Sequence, residues 1–349
     1  MNVPGPIRLT AVAGALALGL VTLTACGGTS DAADRKHDGK LGVVASFYPM
    51  QFLAERIGGG HVSVETLTKP GVEPHDLELK PRQIGRLTDA DVVLYLKGVQ
   101  PAVDDAIEMA GVAHTVDAAT LTTLEEHGAS AGDGHAHEDG GSGHDDHAGH
   151  DDHAGHSHGG GEEAGHEGHD HGSAAGAADP HIWLDPVKYA EVAEGVGAVF
   201  AKADPAHAAD YRKNTDTLVK QLGALDTEFK DGLKNTATRT FITTHSAFGY
   251  LAERYGLEQE GVAGIDPEAD PSPARVKQLQ KIAREDKVST VFFETLASDR
   301  TAKTLAHDTG LRTDVLDPLE GITDQSKGDD YFQVMRANLA ALKTALGAR

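Results

Sequence analysis

The chain has a single cysteine, Cys26, in 349 residues, so no disulfide can form within it and any metal site has to be built without a thiolate cluster. Basic charge is missing over a long stretch. No Lys or Arg lies between Lys97 and Lys188, whereas nineteen Asp and Glu do. Of the formal charge of −23, only −4 therefore belongs to the rest of the chain (−23 set against −19). Acidity confined to one segment argues against nucleic acid as a partner and for attraction of cations by a single patch. The signatures H-E-x-x-H and G-x-x-x-x-G-K-[ST] are absent, which removes the usual motif support for a zinc hydrolase or a P-loop enzyme. A comfortable membrane span of roughly 20 apolar residues is also lacking. The run from Ala11 to Leu23 is too short, and no later segment approaches that length.

That short run reads instead as an export signal, with Arg8 in a polar start and Leu23-Thr24-Ala25-Cys26 at its end. The last four residues resemble a bacterial lipobox. The expectation is a lipoprotein signal peptide over residues 1–25, lipid attachment at Cys26, and a flexible tether over 26–40 rich in Gly, Ser, Asp and Lys. Such a tether would hold a soluble body against the outer face of the cell membrane. About 320 residues remain, enough for two domains of ordinary size.

What the chain has in excess is histidine. Twelve of its twenty histidines fall between His127 and His171, together with eleven Asp and Glu. The unit HDDHAG begins at His144 and again at His150, setting imidazole and carboxylate at spacings that suit divalent metal ions. With so little apolar surface to bury, residues 127–176 are expected to form a disordered loop. Its histidines, His144, His147, His150, His153, His156 and His158 among them, are candidate secondary metal sites of weak affinity.

From Leu41 onward, short β-branched runs alternate with amphipathic stretches, as in parallel α/β units. Leu41–Ser46, Val62–Leu67, Asp91–Lys97 and Val112–Val116 read as strands, with helices at Pro49–Ile57, Pro81–Asp89, Pro101–Met109 and Pro186–Ala203. Within 204–234 the apolar positions Tyr211, Leu218, Leu222, Leu225, Phe229 and Leu233 draw one helical stripe, with Pro205 suited to the first turn. A rod of about 30 residues would reach roughly 45 Å, long enough to cross from one lobe to another, unless it breaks near Gly223. A second α/β unit follows, with strands at Arg239–Thr243, Glu260–Gly264, Val288–Phe293 and Arg312–Leu316 and a last helix at Tyr331–Leu346. The expected fold is α/β, with two similar lobes carrying parallel sheets (41–203 and 235–349) joined by one long helix (204–234).

In open parallel sheets, ligands bind beyond the carboxyl ends of the strands, and isolated histidines occur there. His75 lies in G-V-E-P-H-D-L-E, His181 in D-P-H-I-W-L-D-P beside the sole Trp, and His245 at the end of a strand. Ser246, next to His245, reads as a helix N-cap. Three imidazoles and one carboxylate satisfy the zinc preference for tetrahedral N and O donors. The carboxylate could be Glu320 in L-D-P-L-E-G, with Asp317 as its nearest competitor and Glu294 a weaker one.

The segments EPHDLELKP, DPHIWLDP, THSAFGYLAERYGL and VLDPLEG resemble the metal-specific solute-binding proteins of bacterial ABC importers, in the right order and across essentially the whole mature chain. The resemblance implies two lobes joined by a rigid helix with one metal between them. It further implies that His75, His181 and His245 carry the zinc-type histidines, since manganese relatives replace the third by a carboxylate. The fourth ligand varies in that family, so Glu320 is expected, with Asp317 and Glu73 in reserve. The implied function is capture of Zn2+ as cargo and delivery to an ABC permease by a monomeric, lipid-anchored, non-enzymatic protein. A zinc-buffering or adhesin-like lipoprotein is the alternative, and a zinc hydrolase or a manganese or iron binder ranks behind both.

Overall fold

The computed structural model describes residues 39–112, 114–127, 178–267 and 269–349. Residues 1–25, Cys26, nearly all of the 26–40 tether, and His144, His147, His150, His153, His156 and His158 lie outside the described residues. No helix among the described residues is long and apolar enough to cross a membrane.

The first lobe runs β1 (Leu41–Ala45), α1 (Tyr48–Gly58), β2 (Val62–Thr66), α2 (Pro81–Asp89), β3 (Val92–Tyr95), α3 (Pro101–Ala110) and β4 (Thr115–Asp117). Its four strands are parallel in the order β2-β1-β3-β4. Helices cover both faces of such a sheet, which is why β1, Leu-Gly-Val-Val-Ala, is buried along its whole length and shows no polar alternation. Two helices follow: α4 (Pro186–Ala203) and, after a 3-10 turn at Pro205–His207, α5 (Ala208–Leu233). The second lobe comprises β5 (Thr240–Thr243), α6 (Gly249–Tyr255), β6 (Glu258–Gly261), α7 (Pro273–Glu285), β7 (Thr290–Phe293), α8 (Arg300–Thr309), β8 (Arg312–Val315) and α9 (Tyr331–Leu346). Its order, β6-β5-β7-β8, repeats the first sheet, again all parallel.

The spine of the molecule is α5. It is continuous through Gly223, and the stripe Tyr211, Leu218, Leu222, Leu225, Phe229 and Leu233 is buried from end to end. On one side it packs against α1 and α4, on the other against α6 and α9. Close approach to α4 depends on Gly197, where a Cβ would collide with Thr215 Oγ1. One apolar core therefore runs from β1 and α1 through α4 and α5 into β5 and α9 without a break between lobes. Smaller clusters sit under α2 and α3 in the first lobe and under α7 and α8 in the second.

Several boundaries differ from the sequence reading. The long helix starts at Ala208, since the Pro205 turn is 3-10. Strand β4 begins at Thr115, three residues later than Val112, and β6 covers Glu258–Gly261 where 260–264 was expected. At the sheet edge β6 tolerates polar residues, and Arg275 binds both the Glu260 carboxylate and the Gly261 carbonyl, so periodicity misjudged its start. Ser246 is no helix cap. Helix α6 begins at Gly249 behind Phe248, and the Ser246 hydroxyl donates to the Ala263 carbonyl at 3.1 Å.

Candidate metal centre

Three of the four predicted donors sit on loops leaving the C-terminal ends of strands, and the fourth, His181, lies just before the 3-10 turn that leads into α4. His75 lies in the connection from β2 to α2. Thr68 begins that connection, donating to the Ser46 carbonyl at 2.9 Å and accepting from Gln100 at 2.8 Å. The backbone N–H of His75 donates to Glu73 Oε1 at 3.2 Å. His181 precedes a 3-10 turn at Ile182–Leu184 and the Asp185 cap of α4. The Trp183 indole donates to the Pro318 carbonyl at 2.6 Å, which ties this turn to the loop carrying Glu320. His245 follows β5, its carbonyl held by the Thr243 hydroxyl (2.6 Å) and the Gln259 amide (3.0 Å).

Glu320 follows β8 on a sharply turned loop. Leu319 has φ +60°, a left-handed conformation that costs a branched residue on the order of 1 kcal/mol or more. Asp317 maintains it: Oδ1 accepts from the Leu319 N–H at 2.8 Å and Oδ2 from Ser326 at 2.9 Å and Thr295 at 3.3 Å. Asn338 clamps the Asp317 backbone on both sides. Asp317 is thus spent on shaping the turn, and the turn directs Glu320 inward.

The four side chains converge. Glu320 Oε1 lies 3.5 Å from His75 Nε2, 3.4 Å from His181 Nε2 and 3.6 Å from His245 Nε2. One donor atom from each residue falls within 4.8 Å of all the others. A tetrahedral zinc with bonds of about 2.0–2.1 Å separates its donors by about 3.3–3.4 Å, so the spacing around Glu320 already approaches that of a loaded site. His181, His245 and Glu320 are fully buried and the His75 side chain is only 12% exposed. Nevertheless the Nε2 of all three histidines and both oxygens of Glu320 lack any hydrogen-bond partner. A buried carboxylate without donors costs several kcal/mol, so four orphaned atoms, one from each side chain and all within 4.8 Å of one another, form a set that a cation would complete.

Opposite ring nitrogens are held from behind. His181 Nδ1 is 2.7 Å from Asp179 Oδ1, and His245 Nδ1 is 2.6 Å from Glu294 Oε1, which also accepts from Thr244. A carboxylate on Nδ1 fixes the tautomer that leaves Nε2 free as a donor. Glu294, weighed from sequence as a ligand, stands behind the His245 ring instead, and the role of Asp179 was missed altogether. The only sequence signal for Asp179 was its place two residues before His181, and for Glu294 its place just past β7.

Burial opposes charging of His181 and His245, but the negative charges of Asp179 and Glu294, assisted by Glu320, outweigh it. Both imidazoles are raised above their ordinary value, His245 strongly. Burial would likewise raise the Glu320 carboxyl, and the three imidazoles override it and hold it well below the usual range. Glu73 is pushed up to about 9 by burial and by the neighbouring Glu320, so it keeps its proton at neutral pH. It falls outside the converging group, and its role there is the contact with the His75 backbone.

A second group, Glu125, His127 and Glu253, also meets the spacing for a metal ion. Here the atoms are already partnered. His127 Nδ1 lies 3.0 Å from Asp179 Oδ2, His127 Nε2 lies 2.8 Å from Glu253 Oε2, and Lys188 holds Glu125 at 2.7 Å.

Residues 43–345 match the family model "ZnuA: Zinc-uptake complex component A periplasmic". Among curated proteins, the chain is similar to the high-affinity zinc uptake system protein ZnuA of Bacillus subtilis (strain 168), with 37% identity over 331 residues and 93% of each chain covered. It is also similar to the zinc-binding protein AdcA of Streptococcus pyogenes serotype M3, with 34% identity over 315 residues, which cover 88% of this chain and 56% of that one. The chain thus spans about half the length of the streptococcal relatives it matches. Among solved structures, the Zn(II)-bound ZnuA-like domain of Streptococcus pneumoniae AdcA matches with a TM-score of 0.66 at 28% identity, over 88% of this chain and 99% of that one. The laminin-binding protein Lmb of Streptococcus agalactiae, described as bifunctional with adhesin and metal transporting activity, matches with a TM-score of 0.69 at 26% identity, over 88% and 99% of the two chains.

Proposed function

The chain belongs to the ZnuA family of zinc-uptake components, and from that premise we propose that it captures Zn2+ outside the cytoplasm and hands it to an ABC permease. His75, His181, His245 and Glu320 are the ligands in this reading. The observation that carries it is the set of four unpartnered buried atoms, one from each of these side chains, gathered within 4.8 Å of one another. In the domain plan that goes with it, residues 1–25 serve as export signal, Cys26 as lipid attachment point and 26–40 as tether. The lobes are 41–203 and 235–349, linked through 204–234, and the protein acts as a monomer at the outer face of the membrane.

The chemistry follows from the donors. Imidazole binds metal only when neutral, so protons on His181 and His245 must leave as zinc enters. Ionised Glu320 offsets one of the two metal charges, while Glu73, keeping its proton, adds no second negative charge beside it. With four protein donors no coordination position is left open for water, which suits a carrier rather than a hydrolase. Elemental analysis and chelator competition on the purified full chain test the assignment. One tight zinc is expected in the wild type and none in His181→Ala; equal tight binding by both would end the proposal.

The likeness to Lmb favours one further reading, in which the same zinc-loaded body also serves in surface attachment. A deletion strain that grows normally in zinc-poor medium yet adheres less would favour attachment; zinc-dependent growth failure supports import.

A further inference from the structure

His127 is the last residue described before the histidine-rich segment, and it is held more firmly than that position suggests. Its ring lies edge-on to Tyr250, with centroids 4.4 Å apart, and rests on the backbone of Gly249, where a Cβ would collide with the His127 side chain and with Asp179. Tyr250 belongs to the second lobe, yet its hydroxyl accepts from the Glu125 N–H at 2.8 Å and donates to the Asp179 carbonyl at 2.7 Å. Three groups from two lobes, His127, Gly249 and Tyr250, therefore converge on Asp179.

The Asp179 carboxylate is completely buried, and its two oxygens do different things. Oδ1 accepts from the His181 backbone (2.9 Å) and faces His181 Nδ1 (2.7 Å), while Oδ2 faces His127 Nδ1 (3.0 Å). His127 in turn reaches Glu253 on α6 through its other nitrogen. We propose that His127 is a positioning residue of the metal centre: the chain Glu253–His127–Asp179–His181 tethers one ligand imidazole to the opposite lobe and fixes the direction of its Nε2. This inference rests on the reading of His181 as a ligand. The alternative use of His127, as a ligand in a second metal site, is disfavoured because both of its nitrogens are engaged and Lys188 already neutralises Glu125. Removal of His127 leaves Asp179 Oδ2 buried without its side-chain partner, free to draw the carboxylate and with it His181 out of line. Outer-shell groups of this kind are worth roughly 10- to 100-fold in metal affinity.

The test uses the full chain at no more than one equivalent of zinc, with a chelator strong enough that only the tight site competes. His127→Ala is expected to weaken that site about 10-fold, and the Co2+ d–d absorption at one equivalent should shift as the imidazole tilts. Gly249→Ala should act in the same direction with every polar group retained. His127→Asn, which keeps a donor near the position of Nδ1, should recover most of the affinity. Asp179→Asn should weaken the site at least as much as His127→Ala, and the double variant should be no weaker than Asp179→Asn alone, because both act on one element. Wild-type affinity and cobalt spectrum in both His127→Ala and Gly249→Ala would overturn the tether, as would additive losses in the double variant. Tight binding that survives His181→Ala overturns instead the ligand assignment beneath it, so the two failures are separable.

Discussion

Two groups of histidine and carboxylate among the described residues meet the spacing for a metal ion, and they differ in what their polar atoms are doing. Around Glu320, three imidazole nitrogens and two carboxylate oxygens are sealed from water with nothing to bind. Around His127 the ring is bonded at both nitrogens and a lysine sits on the nearby acid. Residue types and spacing are alike in the two places, so composition alone cannot rank them. Satisfaction of hydrogen bonds can, because a buried polar group left unpaired is tolerated only where something else completes it.

Breaking the orphaned group should have the largest effect. His245→Ala removes a donor outright and should cost tight zinc binding more than the roughly 10- to 100-fold typical of outer-shell changes. Chelator competition measures it, and a loss smaller than that would mean that His245 is no ligand. The pH dependence comes next. His181 and His245 are raised above their ordinary values, so protons compete with zinc at and above pH 6.5 as well as below it. Affinity should climb through neutral pH, continue upward into the alkaline range, and fall steeply in acid. A titration flat between pH 7.5 and 5 would be incompatible with histidine ligation.

A change behind the His245 ring sharpens the comparison further. Glu294→Gln retains an oxygen near His245 Nδ1 but removes the charge, and it should weaken zinc by about 10-fold, less than any ligand removal. A Glu294→Gln protein with unchanged affinity would show that geometry alone, without the carboxylate charge, suffices to orient the ring.

How far the sequence reached is clearest at these residues. His75, His181 and His245 were legible because each lies at a turn bounding a regular element, within a segment similar to a known family. Glu320 was expected ahead of Asp317, although they occupy one short loop, and the left-handed turn at Leu319 shows which acid faces the three imidazoles and which holds the turn. Asp179 and Glu294 act through the far side of an imidazole, a relation made by tertiary packing that leaves no periodic trace. The regular elements were recovered within a few residues, best where a Pro starts the helix, as at Pro81, Pro101 and Pro186. His127 was read as the first member of the histidine-rich run, although Gly249 and Tyr250 bind it into the folded body.

That distinction sets the smallest expected effect on the tight site and the sharpest boundary. Deleting residues 128–176 removes eleven histidines but stops short of His127, so affinity at the Glu320 centre should stay within a few-fold of the full chain while the total number of zinc ions bound falls. Extending the deletion by one residue, to remove His127, should weaken the tight site as His127→Ala does. Were the shorter deletion to abolish tight binding, the acidic segment would be the primary binder and the orphaned quartet an accessory. Were both deletions to behave alike, His127 would belong functionally with the run that follows it. A step in affinity between 128 and 127 would place the limit of the metal centre at the last residue whose ring is held by both lobes.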